Sequence, residues 1–401
     1  MRRLLIILAI LIVLIGAGTA VYFTYFNKSA TVTVAPGGST SLPTAGGTTQ
    51  TQATTTSSMA TSTVVASAPM RLVQISTGPV VPGEVVTDSK ANATSSTQQM
   101  VHYIDRQSGN VYSYAVRTGT LTRTSDRTVP GIQSADWLPN ASLAFVRYLS
   151  GDTFSTINSY ALPASSAVNN GFFLPQNLSD IAVSSTSLLT LASGVNGSVA
   201  SLAHTDGSHS SELFTTPLSA LDVSFAGKNQ YLAYTKPSAT LPGDAFIVDS
   251  KGNFSRIAGP LNGLIAKTSP SGKWVLVSYS NNGALSMMLL NVGAMQWIPL
   301  PIATIADKCV WTNDESNIYC GIPTNLPAGY NYPDDWYQGA VAFSDQIWKI
   351  DVSSRFAQLV LDFSKQSPAI SVDAEALALD PLATTLVFIN KNDGSLWSYS
   401  L

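Results

Sequence analysis

One local phrase recurs along the chain beyond Arg71: an apolar residue, a small polar turn, then four or five apolar or aromatic residues. It appears as NATSSTQQMVHYI (Asn92 to Ile104), ADWLPNASLAFVRY (Ala135 to Tyr148), AVSSTSLLTLA (Ala182 to Ala192), VSFAGKNQYLAYT (Val223 to Thr235), KTSPSGKWVLVSY (Lys267 to Tyr279), CVWTNDESNIYCG (Cys309 to Gly321) and ALDPLATTLVFI (Ala378 to Ile389). Turn formers flanked by β-formers predict a hairpin at each. The turns fall near residues 95, 139, 183, 227, 270, 313 and 381, a step of 43 or 44 until a final step of 68.

Between hairpins lie further strand candidates. Third strands are predicted at Val111 to Val116, Ile157 to Leu162, Val199 to His204, Ala245 to Asp249, Leu285 to Leu290, Gln346 to Asp351 and Leu396 to Leu401. Shorter fourth strands follow, as at Leu121 to Thr124, Phe254 to Ala258, Met295 to Leu300 and Ala357 to Leu361. Four strands per period of forty-odd residues predict the blades of a propeller. The seventh unit reaches Leu401 with three strands, and Leu72 to Ser76 has the form of the missing fourth. Pairing the two would close the ring and leave no open edge. The expected fold is therefore all-β, a seven-bladed β-propeller closed by its N- and C-terminal strands.

The hairpins DWLPNASLAFV and SPSGKWVLV, together with the strand DGSLWSYS, resemble those of WD40-like, TolB-type propellers over residues 71 to 401. More narrowly, CVWTNDESNIYCGIP followed by YPDDWYQGAVAFSDQIWKID is similar to a signature of membrane-anchored bacterial propellers. These resemblances imply a fold and bring no activity with them.

Upstream, Leu4 to Phe26 is an unbroken apolar run of 23 residues, long enough as a helix to cross a hydrocarbon core of about 30 Å. Arg2 and Arg3 orient it with the N-terminus in the cytoplasm and the rest of the chain exported. A cleaved signal peptide, with Gly18 and Ala20 before the cut and a secreted product, is the alternative. Residues 1–28 are thus expected to be a cytoplasmic stub and transmembrane anchor. Residues 29–69, rich in Ser, Thr and Gly, are expected to be a disordered linker spanning roughly 35 Å, and residues 70–401 the propeller. The closed ring is expected to act as a monomer. Of 21 basic residues three lie in residues 1–28, leaving 18 against 24 acids beyond, so nothing there suits nucleic acid.

The sixth unit carries extra residues, Ile322 to Asp345, between its second and third strands. They place Tyr330, Tyr332, Trp336 and Tyr337 beside Asp334 and Asp335, a set suited to recognising a protein or a glycan and equally able to pack against the ring. The second-to-third-strand loops should share one face with the loops between blades. Cys309 and Cys320, the only cysteines, flank a turn symmetrically, and pairing residue 312 with 317 sets them opposite each other, as a disulfide or as two facing thiols. His204 and His209 bracket a turn with Asp206, either as exposed side chains or as an opportunistic metal site, while His102 is read as a packing residue. No nucleophile elbow, zinc-protease helix, phosphate loop or dinucleotide fingerprint is present, and no cofactor is expected. The leading expectation is a membrane-anchored extracytoplasmic module that binds an envelope protein or polymer through its loop face. The alternative is an envelope glycan hydrolase or lyase, which requires acids and bases gathered at one mouth of the channel.

Overall fold

The computed structural model describes residues 71–401 apart from 90–96, 126, 128, 130 and 168–170. The anchor and linker expected over residues 1–69 lie outside the described residues. Among the described residues no helix is long and apolar enough to cross a membrane.

Seven four-stranded antiparallel sheets follow one another around a ring. Blade 1 runs Val85–Ser89, Gln98–Ile104, Val111–Ala115, Thr120–Ser125, and blades 2 to 6 repeat the plan from innermost strands Ile132–Trp137, Leu178–Val183, Leu221–Phe225, Ile265–Thr268 and Cys309–Trp311. Blade 7 is composite. Ala374–Leu379, Thr385–Asn390 and Ser395–Ser400 come from the C-terminal end, and the outermost strand is Leu72–Ser76. The register is Leu72 opposite Tyr399, Val73 opposite Ser398 and Gln74 opposite Trp397. Arg71 reinforces it, with its guanidinium donating to the Ser400 carbonyl at 3.0 Å and lying 5.0 Å from the centre of the Tyr399 ring.

Alternation along each strand gives every sheet two apolar faces, and each face packs on the next blade. The buried clusters reflect this. Ile104 and Val111 of blade 1 join Ile132, Ala144 and Val146 of blade 2, and Leu289 of blade 5 joins Ile318 and Ile350 of blade 6. At the closure, Leu396 and Ile389 of blade 7 pack with Val101 and Tyr103 of blade 1, and Val73 and Ile75 of the N-terminal strand pack against them. No blade owns its core, so none is stable alone.

Turn chemistry places the hairpins as the pattern predicts, the first turn, near residue 95, lying outside the described residues. Ala226 N–H donates to the Gln230 carbonyl at 2.9 Å in blade 4, and Thr312 N–H donates to Asn317 at 2.9 Å in blade 6. That second turn sets Cys309 opposite Cys320, and the two are joined as a disulfide with Cα atoms 4.1 Å apart. Blade 2 departs from the plan, since its outermost strand is only Phe172–Phe173. The long step before the seventh turn is the insertion of blade 6, which separates Asn317–Pro323 from Asp345–Asp351 and contains the short helix Asp334–Tyr337.

Deleting residues 71–76 should leave the edge of Ser395–Ser400 bare and uncover part of the cluster shared by blades 7 and 1. The expected loss is more than about 3 kcal/mol, from two or more half-buried aliphatic side chains, or outright aggregation. Urea denaturation checks this, and an unchanged midpoint would show that the closure contributes little.

Candidate functional site

The innermost strands of successive blades each bring an aspartate to one cavity: Asp136 of blade 2, Asp180 of blade 3 and Asp222 of blade 4. Lys267 occupies the innermost strand of blade 5, and Asp307 lies in the turn leading into blade 6. With Tyr234, Lys236 and Tyr337 these groups line one cavity of about 660 Å³. Lys236 and Pro237 belong to the second-to-third-strand loop of blade 4, Tyr337 to the insertion and Asp307 to a loop between blades. Both loop classes therefore meet at the same mouth.

Hydrogen bonding fixes some of these groups and leaves others without a partner. Asp180 accepts from Val223 N–H at 2.8 Å, which ties blade 3 to blade 4, and lies 3.8 Å from the Arg147 guanidinium. Arg147 itself donates to Ser134 Oγ at 3.0 Å and to the Ser179 carbonyl at 2.8 Å. Lys267 Nζ donates to the Cys309 carbonyl at 2.5 Å, with the Asp307 charge near it. Lys236 reaches Asp222 only at 3.9 Å. Asp136 Oδ2 is shut off from solvent and has no hydrogen-bond partner.

Crowded carboxylates withdrawn from water resist ionisation. Burial, aided by the Asp180 charge and opposed by Arg147, pushes Asp136 up to about 7. Burial followed by the Asp180 charge raises Asp222 to about 7, against the pull of Lys236. Asp180 is raised as well, chiefly by burial, and burial lowers Lys267. The Tyr337 hydroxyl donates to Asp307 Oδ2, and burial plus that charge holds it well above its ordinary value. Another acid is buried outside this cavity. Glu84, just before the innermost strand of blade 1, is 8% exposed with both carboxylate oxygens buried and unpartnered. Its approach to blade 2 requires Gly83, where φ is +102° and a Cβ would lie 1.8 Å from the Ala135 carbonyl oxygen.

The aromatic insertion divides in two. Tyr332 and Trp336 are buried, at 1% and 3% exposure, whereas Tyr330 and Tyr337 stay at the surface at 37% and 42%. Trp336 stacks on Phe343, and its Nε1 donates to Asp373 Oδ2 at 3.0 Å. Lys391 lies 3.6 Å from the centre of the Trp336 ring. Beneath it, Lys308 is fully buried, 2.8 Å from Asp345 Oδ2 and in contact with Asp373. Asp334 caps the neighbouring loop by accepting from Ala239 N–H at 2.9 Å, and Asp335 accepts from Asn331 N–H at 2.6 Å. The two acids thus shape the insertion, and Tyr337 is its member in the cavity. The disulfide lies behind the mouth, where the Cys309 carbonyl holds Lys267. His204 and His209 lie tilted with ring centres 4.6 Å apart on another turn, and His102 bonds Thr87 at 3.0 Å inside blade 1. Among the described residues no three His, Cys, Asp or Glu side chains converge closely enough to hold a metal ion.

Sequence reasoning passed over Asp136, Asp180 and Asp222 because each is an isolated acid more than forty residues from the next. The signal was available in ADW, SDI and LDV, which put an acid at a similar phase ahead of three consecutive hairpin turns.

The fold and this mouth define a seven-bladed β-propeller with an acid-lined channel, in agreement with the WD40-like, TolB-type resemblance of its hairpins. No family model and no curated protein matches the chain. Solved structures share the architecture. An oligogalacturonate lyase from Vibrio parahaemolyticus superposes with a TM-score of 0.55 at 8% identity, covering 82% of this chain and 93% of that one. An oligogalacturonate lyase in complex with manganese gives 0.52 at 9% identity, covering 81% and 98%. TolB from Acinetobacter baumannii gives 0.44 at 9% identity, covering 70% and 80%. At such identities the likeness shows the fold alone.

Two outcomes follow from the electrostatics. Asp373→Ala should strand the Lys308 ammonium with a single carboxylate and leave Trp336 Nε1 unpaired, costing about 3–5 kcal/mol in urea denaturation; a loss under about 1 kcal/mol would mean the network does not hold the insertion. Asp136 and Asp222 keep protons up to about pH 7 when folded and release them near the ordinary 3.8 when unfolded. The folded state then binds more protons between about pH 4 and 7, so this contribution to stability falls as pH rises through that window. The double variant Asp136→Asn, Asp222→Asn should be more stable than wild type at pH 8 and equal to it near pH 4. A variant less stable at pH 8 would contradict the assignment.

Proposed function

We propose that this protein is a membrane-tethered, extracytoplasmic binding module that engages an envelope polymer or protein at the acid-lined mouth of its ring. The observation that carries this reading is the convergence of side chains from blades 2 to 6 and two classes of loop on one cavity of ligand size, about 660 Å³. Tyr330 and Tyr337 add exposed, rigid aromatic surface at the insertion. The apolar run Leu4 to Phe26 behind basic Arg2 and Arg3 supports export on an anchor, and the Cys309 to Cys320 disulfide suits an oxidising compartment. Glycan hydrolysis is a second reading, favoured by one observation: Asp136 and Asp222 titrate near neutrality beside Asp180 and Asp307, as a proton donor and acceptor must. A lyase acting on an anionic uronide fits less well, because four aspartates against two lysines line the cavity and would repel it.

Full-length protein in detergent, incubated with isolated envelope polymer and washed, should retain it. Asp222→Asn combined with Tyr337→Ala should lower retention about tenfold. Undiminished retention by that variant would overturn the assignment of this face. Release of new reducing ends from neutral envelope glycan, abolished by Asp136→Asn, would replace binding with hydrolysis.

A further inference from the structure

The channel mouth is rich in acceptors and poor in free donors. Asp136, Asp180, Asp222 and Asp307 face one cavity, while the cations nearest to them are committed or distant: Lys267 to the Cys309 carbonyl, Arg147 to Ser134, Ser179 and Asp180, and Lys236 at 3.9 Å from Asp222. Independently of that count, Asp136 Oδ2 is buried on the cavity wall with no partner. A buried acceptor left without a donor costs free energy that a bound donor would restore. The carboxylates are too dispersed for three to meet on one metal ion. They are spread over a cavity that admits a larger molecule.

We infer that the mouth is a site for an extended organic cation, one whose ammonium groups sit several ångström apart, as in a polyamine or in the amine-bearing units of an envelope polymer. The inference rests on the binding function proposed for this mouth and names the chemistry it selects. One ammonium takes the place of the missing donor at Asp136, and another lies between Asp222 and Asp307, on a wall that Tyr234 and Tyr337 complete. Binding is coupled to proton release. Asp136 faces Arg147 and Asp180, and Asp222 faces Asp180, Lys236, Asp307 and, farther off, Arg147. Since both carboxyls hold protons up to about pH 7, a cation drives those protons off and binds more weakly as pH falls below 7.

Isothermal titration of the full chain in detergent with spermidine, whose two primary amines remain charged throughout, should give saturable binding at pH 8 that weakens on lowering the pH to 6. Asp136→Asn and Asp222→Asn should each weaken it about tenfold. Lys236→Ala, a change at an exposed side chain, should tighten it by removing a competing charge, and this opposite response guards against variants that merely misfold. A glucosamine oligosaccharide at pH 6.5 distinguishes a polymer source from a free polyamine: competition with spermidine assigns both to one site. Calcium competing at equal concentration, or no spermidine binding to the wild type at pH 8, would overturn the inference. Envelope polymer retained and displaced by a neutral glucan but not by spermidine would overturn it too, while leaving the binding function intact. Loss of all retention would remove the binding function itself.

Discussion

Antiparallel pairing between Leu72–Ser76 and Ser395–Ser400 is the constraint on which the ring rests. Each sheet packs both faces against its neighbours, so a break at one junction exposes apolar surface on two blades and leaves strand edges unpaired. The chain solves this by lending one strand from its N-terminal side to its last sheet. The contact costs little locally, being a few backbone hydrogen bonds with Val73 and Ile75 half buried, yet it closes a loop of more than three hundred residues. The same closure brings Glu375 of blade 7 near Glu84 of blade 1, where burial above all, and then the Glu375 charge, raises the Glu84 carboxyl well above its ordinary value.

The repeat was legible because turn chemistry and apolar alternation are local. The seven hairpins, the third strands and the closing pair were all readable, and only details shifted, such as Gln296–Pro299 being shorter than its apolar run and Phe172–Phe173 forming a strand with almost no sequence signal. Cys309 and Cys320 were readable for the same reason, since their pairing depends on one turn. The resemblance of the hairpins to propellers agreed with the pattern and added no chemistry to it.

The site was much less legible. Its acids are single residues in strands that otherwise look like any other, and their meaning depends on which blades become neighbours in space. The insertion left two readings open, recognition and packing, for a physical reason. A run of aromatics with two acids looks like a recognition loop, but Trp336 satisfies its indole N–H on Asp373 and covers the ammonium of Lys391, while Tyr332 donates to the Pro327 carbonyl at 2.6 Å. Most of its chemistry is spent inward, holding the loop against blade 7. Tyr337 belongs to the mouth because its hydroxyl reaches Asp307, a partner thirty residues away that the local sequence does not suggest.

The distribution of Asp136, Asp180, Asp222 and Asp307 over successive blades has a mechanical corollary. A molecule touching all four is a strut bridging several inter-blade seams at once, so its departure must precede any parting of those seams. Occupancy would therefore slow unfolding as well as shift its midpoint, and the mouth would act as a keystone that is absent from any incompletely wound chain.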